Sequence, residues 1–542
     1  MGEDDAIKQT LQEPLISHTE PSSSPPQQHQ HAHTFTFSNG ITRSISRRDE
    51  GASCAPEWIW GEIKRQLYIA GPMICVNLLQ YSLVVVSNMF VGHLGELELA
   101  SASIASSFAG VTGNSLLIGM ASGLETLCGQ AYGAKQYHML GIYLQRAIFV
   151  LYMVSLPVAF LWWNMGPVLL FLGQDPLICE MAGRYARWLL PVVFATATLQ
   201  PLVKFLQTQS VVLPMALFSV ATLCFHIPFC YLLVYKFGVG YRGAAIASGV
   251  SNWLNVLLLA LYVKYSARCK RTWTSFSMEA FNDLPAFFKL AIPSTVMICL
   301  ENWSFEGLVI LSGLLPNPQL ETSTLSISFT TIALLYMVPF GISASVSTRV
   351  SNELGAGRPN AAKASVAIGV GMGVAEGTLM ATGLYMGRNL WGRAFTSEIE
   401  VVDYVSRCMP FLATIAIMDS VQGVLSGVAR GCGWQAFGAA ANLAAYYLVG
   451  LPSAVVLAFG YDLKGLGLWM GMILGVFTQT ASLIGLTITT NWQKQAEDAL
   501  GRVYSSASAT LPIESNKSQK DELPAMFEDD DNINNGHQNL IS

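Results

Sequence analysis

Twelve long apolar runs dominate the chain, at approximately residues 66–91, 101–125, 140–172, 183–208, 212–236, 243–266, 287–314, 323–347, 361–390, 401–428, 435–459 and 465–489. Each reaches or exceeds the ~20 apolar residues a helix needs to cross a bilayer. None shows the period-two alternation over ~10 residues that marks a membrane β-strand. The pattern predicts an all-α polytopic membrane protein. Residues 1–57, rich in Ser, Gln, Pro and His, and residues 491–542, acidic near their end, read as disordered cytosolic tails. The first tail lacks the apolar stretch of a signal peptide, and Glu3, Asp4 and Asp5 argue against an organellar transit peptide. Between the tails lie residues 58–268 (spans 1–6), a loop at 269–286 and residues 287–490 (spans 7–12).

Composition agrees. Only 12% of residues are charged and 52% are hydrophobic, with a mean hydropathy of +0.42, whereas soluble domains carry about 25% charged residues. The net charge of −5 adds little, because acids cluster in the tails. Ten cysteines are scattered without a CxxC or disulfide framework and read as small core residues. Lys264, Arg268, Lys270 and Arg271 after span 6, Arg349, Arg358 and Lys363 after span 8, and Lys64 and Arg65 before span 1 fall on one side of the membrane. By the positive-inside rule that side is cytosolic, and so are both termini.

The halves repeat. Phe237 to Gly249 matches Phe459 to Gly471, and Gly119 to Lys135 matches Gly341 to Gly357, at one constant spacing. Six spans per half make the repeats parallel, related by an axis along the membrane normal, an architecture of transporters with a site near the midplane. The reading is therefore twelve transmembrane helices in two six-helix bundles related by a parallel pseudo-two-fold repeat.

Two mid-span acids stand out, Glu301 in span 7 and Asp419 in span 10. An acid at membrane depth costs at least a few kcal/mol and marks a functional cavity by default. Aligning Pro72 with Pro293 sets Gln80 opposite Glu301, and aligning Pro191 with Pro410 sets Gln200 opposite Asp419. The carboxylates then belong to one half and neutral amides to the other, which points to ion coupling in the C-half. If spans 7 and 10 pack together, the two acids share one titration. Asn302 and Trp303 follow Glu301 directly. Asn442 and Tyr446, at i and i+4 in span 11, share a helix face. These four, with Gln80 and Gln200, are the candidate substrate contacts. Glu125, Arg349, Asn352 and Glu353 are candidates for gating the cytosolic face, the last three placed in the loop after span 8 and expected to form weak surface pairs. Lys204 is expected to snorkel to a surface, and His226 to be a satisfied interior histidine.

The runs GHLGELELASASIASSFAGVTG, GLETLCGQAYGAKQ, CLENWSFEGLVILSGLLPNPQLETS and STRVSNELGAGRP resemble the multidrug and toxic compound extrusion (MATE) transporters, and most of all their plant branch. The resemblance covers roughly residues 60–490. It implies two V-shaped six-helix bundles working by alternating access. It also implies proton-driven antiport of flavonoids, alkaloids, other secondary metabolites or xenobiotics. The family's coupling acids fall on Glu301 and Asp419. A vacuolar membrane is the first expectation and the plasma membrane the second. No cofactor beyond the coupling proton, no nucleic-acid partner and a monomeric state are expected. Span 1 departs from bacterial relatives in having no acid, and Asn114 stands where an aromatic or aliphatic residue is expected.

Other classes stay in view. A membrane enzyme is disfavoured because no HExxH, GxSxG, paired-His or Asp-rich motif occurs, and a primary pump because no Walker A sequence does. A sodium-coupled antiporter and a lipid flippase of related architecture remain as alternatives.

Overall fold

The computed structural model describes residues 33–36, 42–45, 56–396 and 398–510; the rest of both tails lies outside the described residues. Within the N-terminal tail, His33–Thr36 pairs antiparallel with Thr42–Ile45, where no regular structure was expected. From residue 56 the chain is helical. Twelve helices are long and apolar enough to cross a membrane: α1 (Glu57–Gly92), α2 (Glu96–Gly133), α3 (Tyr137–Trp163), α4 (Pro176–Thr208), α5 (Leu213–Lys236), α6 (Tyr241–Tyr265), α7 (Leu284–Ser312), α8 (Pro318–Gly355), α9 (Pro359–Ala394), α10 (Ile399–Cys432), α11 (Gln435–Gly460) and α12 (Lys464–Thr489). Helices satisfy every backbone polar group within the segment, which lipid demands. Local signals set their ends. Asp175 caps α4 by accepting from Leu177 N (2.9 Å) and Ile178 N (3.2 Å), with Pro176 at the first helical position.

The helices run past the apolar limits seen in the sequence. Arg349, Asn352 and Glu353 are therefore not in a loop; they occupy the last two turns of α8, which ends at Gly355. A second correction concerns the C-terminal tail. Its first part, Trp492–Thr510, is a thirteenth helix, α13. Trp492, Ala496, Ala499, Leu500 and Val503 recur at helical spacing and are buried. Trp492, Ala496 and Ala499 pack with Val350, Leu354, Ala362 and Cys432 at one end of the bundle. Polarity hid this helix, because only one stripe of it is apolar.

The two halves meet by pseudo-symmetric close approach. A Cβ on Gly133 of α2 would sit 2.0 Å from the Asn352 carbonyl oxygen, and one on Gly355 of α8 would sit 2.1 Å from the Gln130 carbonyl oxygen. Gly119 likewise abuts Thr295 of α7, and Gly341 abuts Ile74 of α1. Each pair of equivalents is 222 residues apart. Side chains repeat the relation: Gln130 Nε2 donates to the Gly431 carbonyl (3.1 Å) and Asn352 Nδ2 to the Thr208 carbonyl (3.1 Å). Small residues let membrane helices approach this closely. Gly355→Val is expected to destabilise the protein by about 1–3 kcal/mol through overpacking. Gly61→Val, where nothing lies within 4 Å, should leave the thermal midpoint of the purified protein unchanged. Equal midpoints for the two variants would refute the close-contact reading.

Candidate functional site

A cavity of about 390 Å³ lies between the halves. Its walls come from α1, α2, α3, α4 and α6 on one side and from α7, α8 and α10 on the other. Met73, Val76, Leu189 and Ile298 supply apolar surface, and Gln80, Gln200, Glu301 and Asn302 supply polar surface. The cavity reaches Ser87 and Asn88 near the end of α1, and Ser248 near the start of α6, so it extends toward the membrane side opposite the basic loops.

Toward the basic-loop side it is closed by charge. Glu125 of α2 is fully buried and accepts from Lys204 Nζ of α4 (2.5 Å) and Arg430 Nε of α10 (3.0 Å). Both cations line the cavity and flank the Phe340 ring, at 5.6 and 6.0 Å. Lys204 thus does not snorkel; burial beside a carboxylate holds it inside. Arg430 also donates to Ser343 Oγ (2.7 Å).

Below this floor lies a second layer. Arg349 grips Glu62 of α1 through Nε and a terminal nitrogen, both at 2.8 Å, and also pairs with Glu353 (2.5 Å). Glu353 pairs in turn with Arg358 (2.8 Å). Glu62 and Glu353 are buried, so these are not the surface pairs the sequence suggested. Arg502 of α13 completes the layer, donating to Gln130 Oε1 (3.1 Å) in one half and the Cys432 carbonyl (3.0 Å) in the other.

Glu301 stands at the boundary between the cavity and a buried polar network. Tyr336 Oη donates to its Oε1 (3.3 Å), while Gln422 Nε2 (3.3 Å) and Asn442 Nδ2 (3.4 Å) donate to its Oε2. Behind them Gln479 Nε2 donates to Asn442 Oδ1 (2.6 Å), and Tyr446 Oη donates to Gln479 Oε1 (2.6 Å). Asn442 also donates to the Met297 carbonyl (2.7 Å). Gln422, Asn442, Tyr446 and Gln479 are buried and do not line the cavity. Asn442 and Tyr446 are therefore part of the network around the acid, not substrate contacts.

Asp419 is buried on α10 within electrostatic reach of Glu301 and of Glu376 on α9. Its Oδ1 makes no hydrogen bond among the described residues, and it is absent from the cavity wall. Gln422, one turn further on, meets Glu301 instead. The spacing of 222 explains this. It sets Gln200 opposite Gln422, so the proline-based pairing of Gln200 with Asp419 was three residues out of register. Gln80, Gln200 and Asn302 do face the cavity. Trp303 does not; its indole donates to the Val111 carbonyl (3.1 Å) of α2. That carbonyl lies in a π-helical turn, Gly110–Asn114, which sets Asn114 in the cavity wall. His226 is satisfied as expected, held by Ser87 (3.1 Å) and Ser251 (2.9 Å).

The MatE family matches residues 72–232 and 293–456. The chain belongs to the MATE family. It is a plant-type MATE transporter, a secondary carrier for efflux of multidrug and toxic compounds, not an enzyme. It is 53% identical over 447 residues to Protein DETOXIFICATION 16 of Arabidopsis thaliana, covering 82% of this chain and 92% of that one. Protein DETOXIFICATION 17 of the same plant is 51% identical over 445 residues, covering 82% and 94%. The crystal structure of the eukaryotic MATE transporter AtDTX14 superposes with a TM-score of 0.80 at 49% identity, covering 82% of this chain and 99% of that one. The fold is shared with VcmN of Vibrio cholerae, TM-score 0.72 at 18% identity, covering 80% of this chain and 99% of that one. In this MATE transporter the polar groups that hold Glu301 were legible in principle. Gln422 and Gln479 are mid-span amides of the kind that singled out Gln80 and Gln200. Tyr336 and Arg430 carried no comparable mark in the sequence.

Proposed function

We propose that this MATE transporter exchanges organic compounds for protons, with Glu301 as the proton-carrying group and Asp419 as its electrostatic partner. The observation that supports it is the position of Glu301, one side open to the cavity and the other held by Tyr336, Gln422 and Asn442. A carboxyl placed so can take a proton from the cavity and report its charge to three helices of the C-half. When it is ionised, three donors hold it; when it is protonated, its own O–H must find an acceptor, so α8, α10 and α11 experience the difference. Such differential contact is what lets a bound proton bias one carrier conformation.

The closed floor and the cavity's extension to the opposite side correspond to a carrier facing away from the cytosol. In the reading favoured here the protein acts as a monomer, needs no cofactor beyond the coupling ion, and empties into the vacuole, with the plasma membrane as the second site. The test is uptake by vesicles carrying the full-length protein. Uptake should follow an imposed pH gradient at constant sodium and should not follow a sodium gradient at constant pH. The opposite pattern would replace the proton with sodium.

A further inference from the structure

The α13 helix is fastened to one half of the protein and reaches across to the other. Trp492, Ala496 and Ala499 pack among Val350, Leu354, Ala362 and Cys432, all of the C-half. Two side chains further along make the crossing. Arg502 donates through Nε to Gln130 Oε1 of α2 (3.1 Å), while a terminal nitrogen holds the Cys432 carbonyl (3.0 Å). Ser506, one turn on, is buried and hydrogen-bonded to Tyr143 of α3. Both α2 and α3 belong to the N-half. The halves must part here when the carrier opens toward the basic loops, so α13 must then release one of them. Its buried apolar stripe keeps it on the C-half, and the polar crossing to the N-half is the part that gives way.

The residue beside that crossing is open to chemistry. Ser505 is exposed, and its Oγ donates to the Arg502 carbonyl (3.0 Å). It follows Arg502 by three residues, so the two side chains are neighbours on the helix surface. The present acceptors of Arg502, an amide oxygen and a peptide carbonyl, are both neutral. Asp498, one turn before Arg502, lies within electrostatic reach of the guanidinium but takes neither of these bonds. A phosphate carries close to two negative charges and three acceptor oxygens. Its bonds to a guanidinium are roughly twice as strong as those of neutral acceptors. On Ser505 it outcompetes Gln130 and Cys432 for Arg502. The helix also lies on the side that the positive-inside rule assigns to the cytosol, where ATP is at hand.

We propose that Ser505 is a phosphorylation site, and that a phosphate there draws Arg502 off Gln130, unfastens α13 from the N-half and favours opening of the basic-loop side. A serine kinase moves the γ-phosphoryl group of ATP to Ser505 Oγ. The bond from the γ-phosphorus to the bridging oxygen breaks, a new P–O bond forms, ADP leaves and the hydroxyl proton is released. The switch is independent of which ion drives transport.

The test uses the full-length protein carrying Ser351→Cys, because Ser351 is buried against Gly129 where the halves abut. Phosphoserine is incorporated at position 505 during synthesis, and maleimide labelling of the reporter thiol is followed on its own peptide by mass spectrometry. The phosphate should raise the labelling rate at least about tenfold, the order expected when a charged group gives up its hydrogen bonds. Ser505→Ala should label like the parent. Arg502→Gln should label fast without phosphate and gain little from it. Where that variant does not fold, Arg502→Lys, which keeps the charge but not the two-pronged grip, is read in the same way. Phosphoserine at position 508, also exposed but on a different face from Arg502, should change nothing. Equal labelling with and without phosphate at 505, an equal rise from 508, or a full rise from phosphate in the Arg502 variant would each overturn the switch. So would the absence of phosphate on Ser505 in protein isolated, with phosphatases inhibited, from the cells that make it.

Discussion

Glu301→Gln is expected to fold and insert normally yet lose at least about 100-fold of its pH-driven transport, within the ~10²–10⁴-fold range that a positioned proton-transfer group contributes. The network explains why folding should survive. A glutamine can turn its carbonyl oxygen toward Gln422 and Asn442, which donate to Glu301 Oε2, and its amide toward Tyr336, whose hydroxyl oxygen can accept. Every neighbour keeps a partner, and the substitution removes a buried charge without adding bulk. The proton, by contrast, has nowhere to sit. On the proton-coupled reading proposed above, Asp419→Asn should also fail, because the acids lie within electrostatic reach and groups that interact strongly share their proton steps. The double variant should be little worse than either single one, since residues acting as a unit are non-additive. Vesicles with an acidic interior give the rate, and immunoblots of the same vesicles give the protein level. Wild-type, gradient-dependent rates in Glu301→Gln would end the assignment.

Much of this site was legible in the sequence, for a physical reason. A carboxylate at membrane depth is expensive enough to signal function from one residue, and Glu301 proved to sit where the cavity meets the C-half network. The repeat was equally legible, because Gly133 and Gly355 are fixed by backbone contact, where any side chain would collide. What the sequence hid depends on register and distance. The prolines within α4 and α10 are not equivalent landmarks, so aligning Pro191 with Pro410 misplaced Gln200 by three residues and concealed Gln422. Lys204 and Arg430 look like cations near helix ends, which ordinarily reach for water; only the fold brings Glu125 between them. Trp303 was an aromatic beside the acid, yet adjacent residues on a helix point about 100° apart, and it faces α2 instead.

The second large effect concerns that buried trio. Glu125 balances two cations, each almost wholly removed from solvent. Glu125→Gln would leave Lys204 and Arg430 side by side with no carboxylate. Breaking a buried ion pair by removing one partner costs about 3–5 kcal/mol, because the remaining charge stays desolvated. The single variant should therefore show a sharply lower thermal midpoint. Lys204→Gln should cost much less, since Arg430 keeps Glu125 to itself and the new amide can reach Gln207, the side chain Lys204 now contacts at 3.3 Å. The double variant Glu125→Gln, Lys204→Gln restores the wild-type net charge at the floor and should regain much of the lost stability, giving a non-additive cycle of the kind contacting charges produce. Glu125 and Lys204 belong to one half of the protein and Arg430 to the other, so the Arg430–Glu125 contact must break for the basic-loop side to open. Glu125→Gln should then also shift the surviving protein toward that open form, raising the reactivity of a thiol reporter at the floor. Should Glu125→Gln prove as stable as Lys204→Gln, the trio would hold no net charge in place, and closure of the floor would have to rest on the close packing at Gly133 and Gly355 alone.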